Sequence, residues 1–291
     1  MKKEKLLDGE KVDKYVRKLQ LVELDILKEV DKLCKKNDIK YFLCGGTLLG
    51  AIRHGGFIPW DDDIDIAMTR DNYQKFVKVC QKELNEKYFL DCYETNKKFC
   101  LPYAKVKLKN TLYVENKNQD FYDEKSCIWI DIFPLDAVEK PLSKGHYFRY
   151  KMFNYLTTLI TIKNGSNYYQ NSVIKKKIYH AILLLVPMKL LIFIYHKIVG
   201  KYDLNKTKYL SSFATVYTIE KETYETNKLF PYSEIEFEGI KFMGIKGYDY
   251  YLSKMYKDYM QLPPKEKRVN HKPYIVRFPD GEELHFDNQN K

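Results

Sequence analysis

The sequence predicts an α+β protein: a mixed sheet flanked by helices, followed by a helical C-terminal half. Three observations lead there. Apolar residues recur at three- and four-residue steps over residues 12–34, short alternating or apolar runs broken by turn residues fill residues 39–132, and from about residue 143 long apolar and aromatic stretches return to helical spacing.

Taken in order, Val12, Tyr15, Val16, Leu19, Val22, Ile26, Leu27, Val30, Leu33 and Cys34 form one face of a single helix, which Asn37 ends. The apolar run 39–44 is a strand leading into Gly45-Gly46, and Thr47 caps a helix that continues to Arg53. A loop over residues 54–60 then gives way to a half-buried strand at 63–68. Thr69 caps the next helix, whose inner face carries Tyr73, Phe76, Val77, Cys80 and Leu84. Further strands are expected at 89–93, 102–108, 112–115 and 127–132.

The change of texture near residue 143 divides the chain into a catalytic core, 1–142, and a helical region, 143–233, itself a candidate membrane-peripheral region. In the last section, 234–291, a hairpin turning at Glu238-Gly239, a helix over 248–260 and two short strands joined at Pro279-Asp280-Gly281 pack back on the core.

With 291 residues, 45% of them hydrophobic, the chain has ample material for a packed core, and a folded protein is expected. The 50 Lys and Arg against 39 Asp and Glu favour an anionic partner such as a nucleotide, nucleic acid or acidic lipid headgroups. Cys34, Cys44, Cys80, Cys92, Cys100 and Cys127 are scattered without metal-ligand spacing, which reads as buried thiols in a reducing compartment. The N-terminus is charged throughout and lacks a signal peptide's apolar segment, so a cytoplasmic protein is expected.

The chemistry concentrates in Trp60-Asp61-Asp62-Asp63-Ile64-Asp65. On a strand, residues two apart share a face, so Asp63 and Asp65 can reach one metal ion while Ile64 and Ile66 pack behind them. Asp61 has the same parity and is a further candidate ligand; Asp62 should point away. A few carboxylate oxygens beside a phosphate-binding turn suit Mg2+ or Mn2+. Asp131, within Trp129-Ile130-Asp131-Ile132-Phe133, offers a third carboxylate, and Asp136 a weaker one. Gly45, Gly46 and Thr47 at a helix start can cradle phosphate with backbone N–H groups. Arg53 can grip phosphate, His54 either assists a leaving group or bonds the loop, and Lys105 and Lys107 share one strand face that either lines the phosphate path or is solvated.

At these residues the sequence resembles the LicD family of phosphotransferases. The similarity runs from Tyr41-Phe42-Leu43-Cys44-Gly45-Gly46-Thr47 through Arg53-His54-Gly55-Gly56-Phe57-Ile58-Pro59-Trp60-Asp61-Asp62-Asp63-Ile64-Asp65-Ile66, and continues in Trp129-Ile130-Asp131-Ile132-Phe133-Pro134-Leu135-Asp136 and in residues 256–268. Residues 140–230 carry little of it. The resemblance implies kinship with fukutin-type transferases and a nucleotidyltransferase-like fold. It also implies transfer of a phospho-alcohol, most simply phosphocholine from CDP-choline, to a sugar hydroxyl of a bacterial surface glycan such as lipopolysaccharide, teichoic acid or capsule, with CMP released. Asp63 and Asp65 would then be metal ligands, Asp131 the third carboxylate, and no nucleic-acid partner is expected. Trp129 and Tyr103 are candidates for a cage around choline's quaternary ammonium.

Three other readings compete: a nucleotidyltransferase that moves a nucleoside monophosphate onto RNA or a small alcohol, a glycosyltransferase, and a non-catalytic assembly factor. The intact set Asp63, Asp65 and Asp131 argues against the last. A separate expectation concerns the apolar stretch 178–199, which Pro187 breaks, Lys189 interrupts and Lys175-Lys176-Lys177 flank. It is too short to span a bilayer and is either a pair of core helices or an in-plane contact at the inner face of the cell membrane.

Overall fold

The computed structural model describes residues 14–115, 126–164, 186–215, 217–270 and 273–286. Helix α1 (Lys14–Lys36) buries Val16, Leu19, Ile26, Leu27, Val30 and Leu33 along one stripe. It stops just before Asn37, which closes the last turn by donating to the Leu33 carbonyl from both its backbone N–H at 3.2 Å and its Nδ2 at 3.1 Å. Val12, expected on the same face, lies outside the described residues.

Next come β1 (Phe42–Leu43), α2 (Gly45–His54), β2 (Asp65–Thr69), α3 (Arg70–Glu83), β3 (Tyr88–Asp91), β4 (Ala104–Leu108), β5 (Leu112–Val114) and β6 (Trp129–Val138). They build a sheet ordered β1-β2-β6-β4-β3. Strands β2 and β6 run parallel and the other pairs antiparallel, which is the mixed sheet the sequence predicts. β6 extends past the expected end at 132 because it serves two neighbourhoods. Its first part lies between β2 and β4, and its last three residues pair with β7 (Tyr209–Ser211), which pairs in turn with β8 (Thr223–Glu225). These two short strands sit in the stretch read as helical. Three residues each is too short for alternation to register.

Helix α4 (Lys144–Lys163) opens on Ser143, whose hydroxyl accepts the His146 N–H at 3.3 Å. Helix α5 (Met188–Val199) begins immediately after Pro187, as a residue without an N–H and with a fixed φ favours. Their facing sides bury Phe153, Leu156 and Ile160 against Leu191, Tyr195 and Val199 in an apolar cluster distinct from the main one. Residues 178–185 and Lys175 to Lys177 lie outside the described residues. Among the described residues no helix is long and apolar enough to cross a membrane.

All six cysteines are free, five of them buried and Cys100 partly so. Helix α6 (Thr226–Leu229) leads to the hairpin β9 (Tyr232–Phe237) and β10 (Ile240–Ile245). Glu238 and Gly239 turn it with φ of 53° and 73°, the two left-handed residues a right-twisted hairpin prefers. The Glu238 carboxylate accepts from Arg17 of α1 and from the Phe57 N–H at 3.0 Å, so the hairpin tip ties α1 to the glycine loop. Helix α7 (Tyr248–Tyr256) packs on α2, and β11 (Ile275–Arg277) pairs with both β5 and β12 (Glu283–His285).

His146 gives the fold a pH dependence. It is buried, its Nδ1 accepts the Leu142 N–H at 3.1 Å, and its Nε2 lies buried without a hydrogen-bond partner. Burial, reinforced by Arg149, lowers its pKa to about 4. The fold therefore holds the neutral ring while the unfolded chain protonates near its ordinary 6.5. The sign follows: the contribution is complete above pH 6.5 and is lost as pH falls towards 4. Denaturant melts are expected to show a decline of up to about 3 kcal/mol over that window, flattened in His146→Gln.

Candidate active site

The sheet register assembles the site. Asp131 of β6 pairs with Asp65 of β2 on one side and with Lys105 of β4 on the other, so the three side chains form a row across adjacent strands. The Lys105 ammonium lies 3.2 Å from Asp131 Oδ1 and 3.7 Å over the Trp129 ring. That contact pairs charges without hydrogen-bond alignment, so the buried Oδ1 keeps its accepting capacity. Lys105 and Lys107 are buried, not on a solvated face; Lys107 pairs with Asp91 at 2.7 Å.

Asp63 reaches the row by another route than strand parity. β2 begins at Asp65, and the segment before it is held by the Asp131 N–H donating to the Ile64 carbonyl at 2.9 Å. Ile64 and Ile66 are fully buried behind the site, as expected. Asp62, expected to point away, is buried. Burial raises the Asp65 carboxyl above the ordinary range, with the charges of Asp63, Asp131 and Asp61 adding and Lys105 opposing. Asp131 is also raised by burial, against the pull of Lys105.

The glycines serve a purpose that spacing alone does not reveal. Gly45 turns the chain at φ +55°, and a Cβ there would stand 2.9 Å from Asp65 Oδ2; a Cβ on Gly46 would stand 2.4 Å from Asp61 Oδ2. The positive end of α2 thus abuts two carboxylates, a favourable placement that side chains would block. The Gly45 N–H donates to the Tyr251 hydroxyl at 3.1 Å, which ties the start of α2 to the C-terminal segment. Cys44, not Thr47, is the N-cap residue; the Thr47 hydroxyl instead accepts the Asp65 N–H at 2.8 Å and fixes the start of β2. Gly46→Ala is expected to cut turnover at least about 10-fold while Tm moves by only a few degrees, because the methyl displaces Asp61 and not the core. Wild-type turnover in this variant would show that Asp61 can move without consequence.

Arg53 donates from Nη1 to the Tyr259 and Gln261 carbonyls at 2.9 and 3.3 Å, so part of its fork holds the C-terminal segment. Burial lowers its pKa, and the next contribution is the Arg268 guanidinium, itself 5.2 Å over the Trp60 ring. Two guanidinium groups held near each other beside Asp61 form a cationic corner. Arg268 has no sequence signal linking it to Arg53, since only the path of the C-terminal segment brings them together. His54 accepts from Arg53 Nε at 3.5 Å through its Nδ1 and lies edge-on to the Trp60 ring, with burial and then Arg53 lowering its pKa to about 4.

Two tyrosines not singled out as site residues also lie here, of which Tyr256 opens the family-like block at residues 256–268. The hydroxyls of Tyr217 and Tyr256 feel the charges of Asp65 and Asp61, whereas the proposed cage face of Trp129 already holds Lys105. A cleft of about 340 Å³ at the N-terminus of α4 lies apart from these residues, and the Arg149 on its wall spends its guanidinium on three backbone carbonyls.

Comparison with known proteins agrees with this geometry. Residues 38–162, which span β1 to α4 and all the aspartates, match the family described as LicD/FKTN/FKRP, nucleotidyltransferase domain. The chain is 34% identical over 263 residues to the lipopolysaccharide cholinephosphotransferase LicD of Haemophilus influenzae, covering 88% of this chain and 95% of that protein. It belongs to the LicD family. An uncharacterized Rickettsia prowazekii protein, RP689, is 34% identical over 136 residues, 44% of this chain and 51% of its own. The human ribitol 5-phosphate transferase FKRP is 57% identical over 30 residues, 10% of this chain and 6% of FKRP. The fukutin-type kinship is thereby shown, and this LicD-family chain is a transferase.

The donor set fits a divalent cation. Asp65 and Asp131 stand side by side in register, both buried enough to be raised, and Asp131 Oδ1 retains accepting capacity. Among the described residues no three acidic, thiol or imidazole groups close into a finished metal cage. An ion that takes few protein ligands and completes its shell with water and phosphate oxygens needs no such cage.

Proposed function

We propose that this LicD-family transferase moves a phospho-alcohol, most simply phosphocholine, from a CDP-alcohol to a sugar hydroxyl of a bacterial surface glycan and releases CMP. The observation that carries the reading is the row Asp65–Asp131–Lys105 across β2, β6 and β4, set beside the N-terminus of α2. Asp63, Asp65 and Asp131, with Asp61 beside them, would hold Mg2+ or Mn2+. Bound there, the ion would neutralise charge on the donor's phosphates.

The chain's own residues do the rest. Lys105 balances the carboxylates, while Arg53 and Arg268 offer cationic groups near Asp61 for the diphosphate. The acceptor oxygen bonds to the phosphorus next to the alcohol as the bond from that phosphorus to the bridging oxygen of CMP breaks. The hydroxyl's proton passes to Asp131, the carboxylate at the centre of the row. Catalysis is then mainly positioning and electrostatics.

The relative from Haemophilus influenzae is named a lipopolysaccharide cholinephosphotransferase, which supports choline as head group and lipopolysaccharide as acceptor. Exposed Phe148, Met152 and Tyr155 on α4 and Leu190, Phe193 and Ile194 on α5 lie among exposed Lys144, Lys151, Lys189 and Lys197. That mixture suits a peripheral seat on anionic lipid at the inner face of the membrane, where a lipid-linked acceptor would be met. Co-sedimentation with anionic vesicles at background level would remove the membrane seat.

The decisive assay is mass spectrometry of products from a panel of CDP-alcohols with a purified glycan precursor. A precursor gaining phosphocholine together with free CMP is the expected outcome. Incorporation of labelled CMP from CTP into RNA or a small alcohol would replace this reading with nucleotidyl transfer.

A further inference from the structure

Three polar residues interrupt the buried stripe of α1: Gln20, Glu23 and Asp31. Two have evident partners. Gln20 donates from Nε2 to the Asp61 carbonyl at 2.8 Å, and Asp31 accepts from the Tyr41 hydroxyl at 2.8 Å and pairs with Lys35 at 2.7 Å. Glu23 is only 3% exposed, and its Oε2 is buried with no hydrogen-bond partner.

Its surroundings make that position costlier still. Gln20, three residues earlier on the same face, anchors α1 to the backbone of the aspartate segment, so Glu23 lies one turn further along the face that meets it. The charges bearing on Glu23 are those of Asp63, Asp62, Asp61 and Asp131, all of its own sign. A buried carboxylate is retained when it is paired or coordinates a metal, and here every named charged neighbour repels it. A hard divalent cation shared with the aspartates is the partner whose chemistry answers both the missing contact and the repulsion.

We propose that Glu23 belongs to the cation-holding set of this enzyme, supplying a carboxylate from α1 to an ion that the aspartates approach from the β2 and β6 side. The proposal rests on the divalent-metal reading of the preceding section. It extends that reading to a residue outside the two aspartate blocks and adds α1 to the elements that build the site. As an inner ligand or through one bound water, such a group is worth about 10- to 100-fold in metal affinity.

The test uses the full chain with Mn2+ alone as probe, titrated by calorimetry and by electron paramagnetic resonance, together with thermal melts in chelator and in excess Mn2+. Glu23→Gln is expected to weaken Mn2+ binding at least 10-fold and to shrink the Mn2+-induced rise in Tm correspondingly. Its Tm in chelator should equal or exceed that of wild type, because an uncompensated acid has been removed. Glu23→Asp keeps the charge but withdraws it by one methylene, and its affinity should fall between the two. Wild-type affinity in Glu23→Gln, or in Glu23→Asp should the Gln variant not fold, would overturn the proposal while leaving the aspartate site standing. Absence of Mn2+ binding by the wild-type chain would instead overturn the metal reading itself.

Discussion

Replacing Asp65 by Asn is expected to lower kcat/KM for transfer from a CDP-alcohol by at least about 10³-fold, roughly 4 kcal/mol of transition-state stabilisation, in a protein that keeps its fold. The substitution preserves shape. The amide occupies the carboxylate's volume, so the close packing against Gly45 survives, and the Asp65 N–H still donates to Thr47. What disappears is one charge from a buried group of like charges in which Asp63, Asp131 and Asp61 all bear on Asp65. Losing it relieves repulsion in the metal-free protein, so Tm should stay level or rise while turnover collapses, the trade expected where a site stores destabilising charge for function. Activity within 10-fold of wild type in a folded Asp65→Asn protein would show that Asp65 does not hold the reacting phosphate's cation. A matching fall in Tm would point instead to a structural role.

Much of this site was legible in the sequence because its parts are local. The short interval from Gly45 to Asp65 forces a strand, a turn, a helix and a return strand to lie together, and the apolar neighbours of Asp131 mark it as a residue of a central strand. Strand parity does not account for Asp63, which precedes β2; the segment that carries it is fixed by the Asp131 N–H donating to the neighbouring Ile64 carbonyl. A further reason for the glycines was not legible, because spacing cannot show that Asp65 and Asp61 stand where a side chain on Gly45 or Gly46 would be. Glu23 and Tyr217 had no local signal at all, and Tyr256 and Arg268 had only that of the family-like block at residues 256–268. Glu23 reads as an ordinary acid within an amphipathic helix, and the other three reach the site only through the packing of distant segments. Strands β7 and β8 were lost for a related reason: three-residue strands derive their identity from the neighbour they pair with, not from alternation.

Asp136, the weaker catalytic candidate, is expected to matter for stability and not for chemistry. It lies five positions beyond Asp131 on β6, an odd interval that turns its side chain to the other face of the sheet. There it accepts two hydrogen bonds from Arg70, the first residue of α3, at 2.7 and 2.9 Å, with both side chains almost wholly buried. Burial opposes the Arg70 charge, yet the attraction of Asp136 outweighs it and the guanidinium pKa ends above its ordinary value. Arg70 also lies 5.2 Å over the Tyr73 ring and interacts with Tyr195 of α5, so the pair joins the main sheet to the second apolar cluster. Removing one partner strands a charge in that interior. Arg70→Met and Asp136→Leu should therefore each cost about 3–5 kcal/mol in denaturant melts, whereas the double variant, which leaves no charge uncompensated, should be markedly less destabilised than the sum of the two. The variants that remain folded should retain the wild-type KM for the CDP-alcohol, because neither residue shares a face with Asp65 and Asp131. Strict additivity of the two losses would mean that the pair does not act as a unit. A change in KM without a change in stability would return Asp136 to the candidate active site.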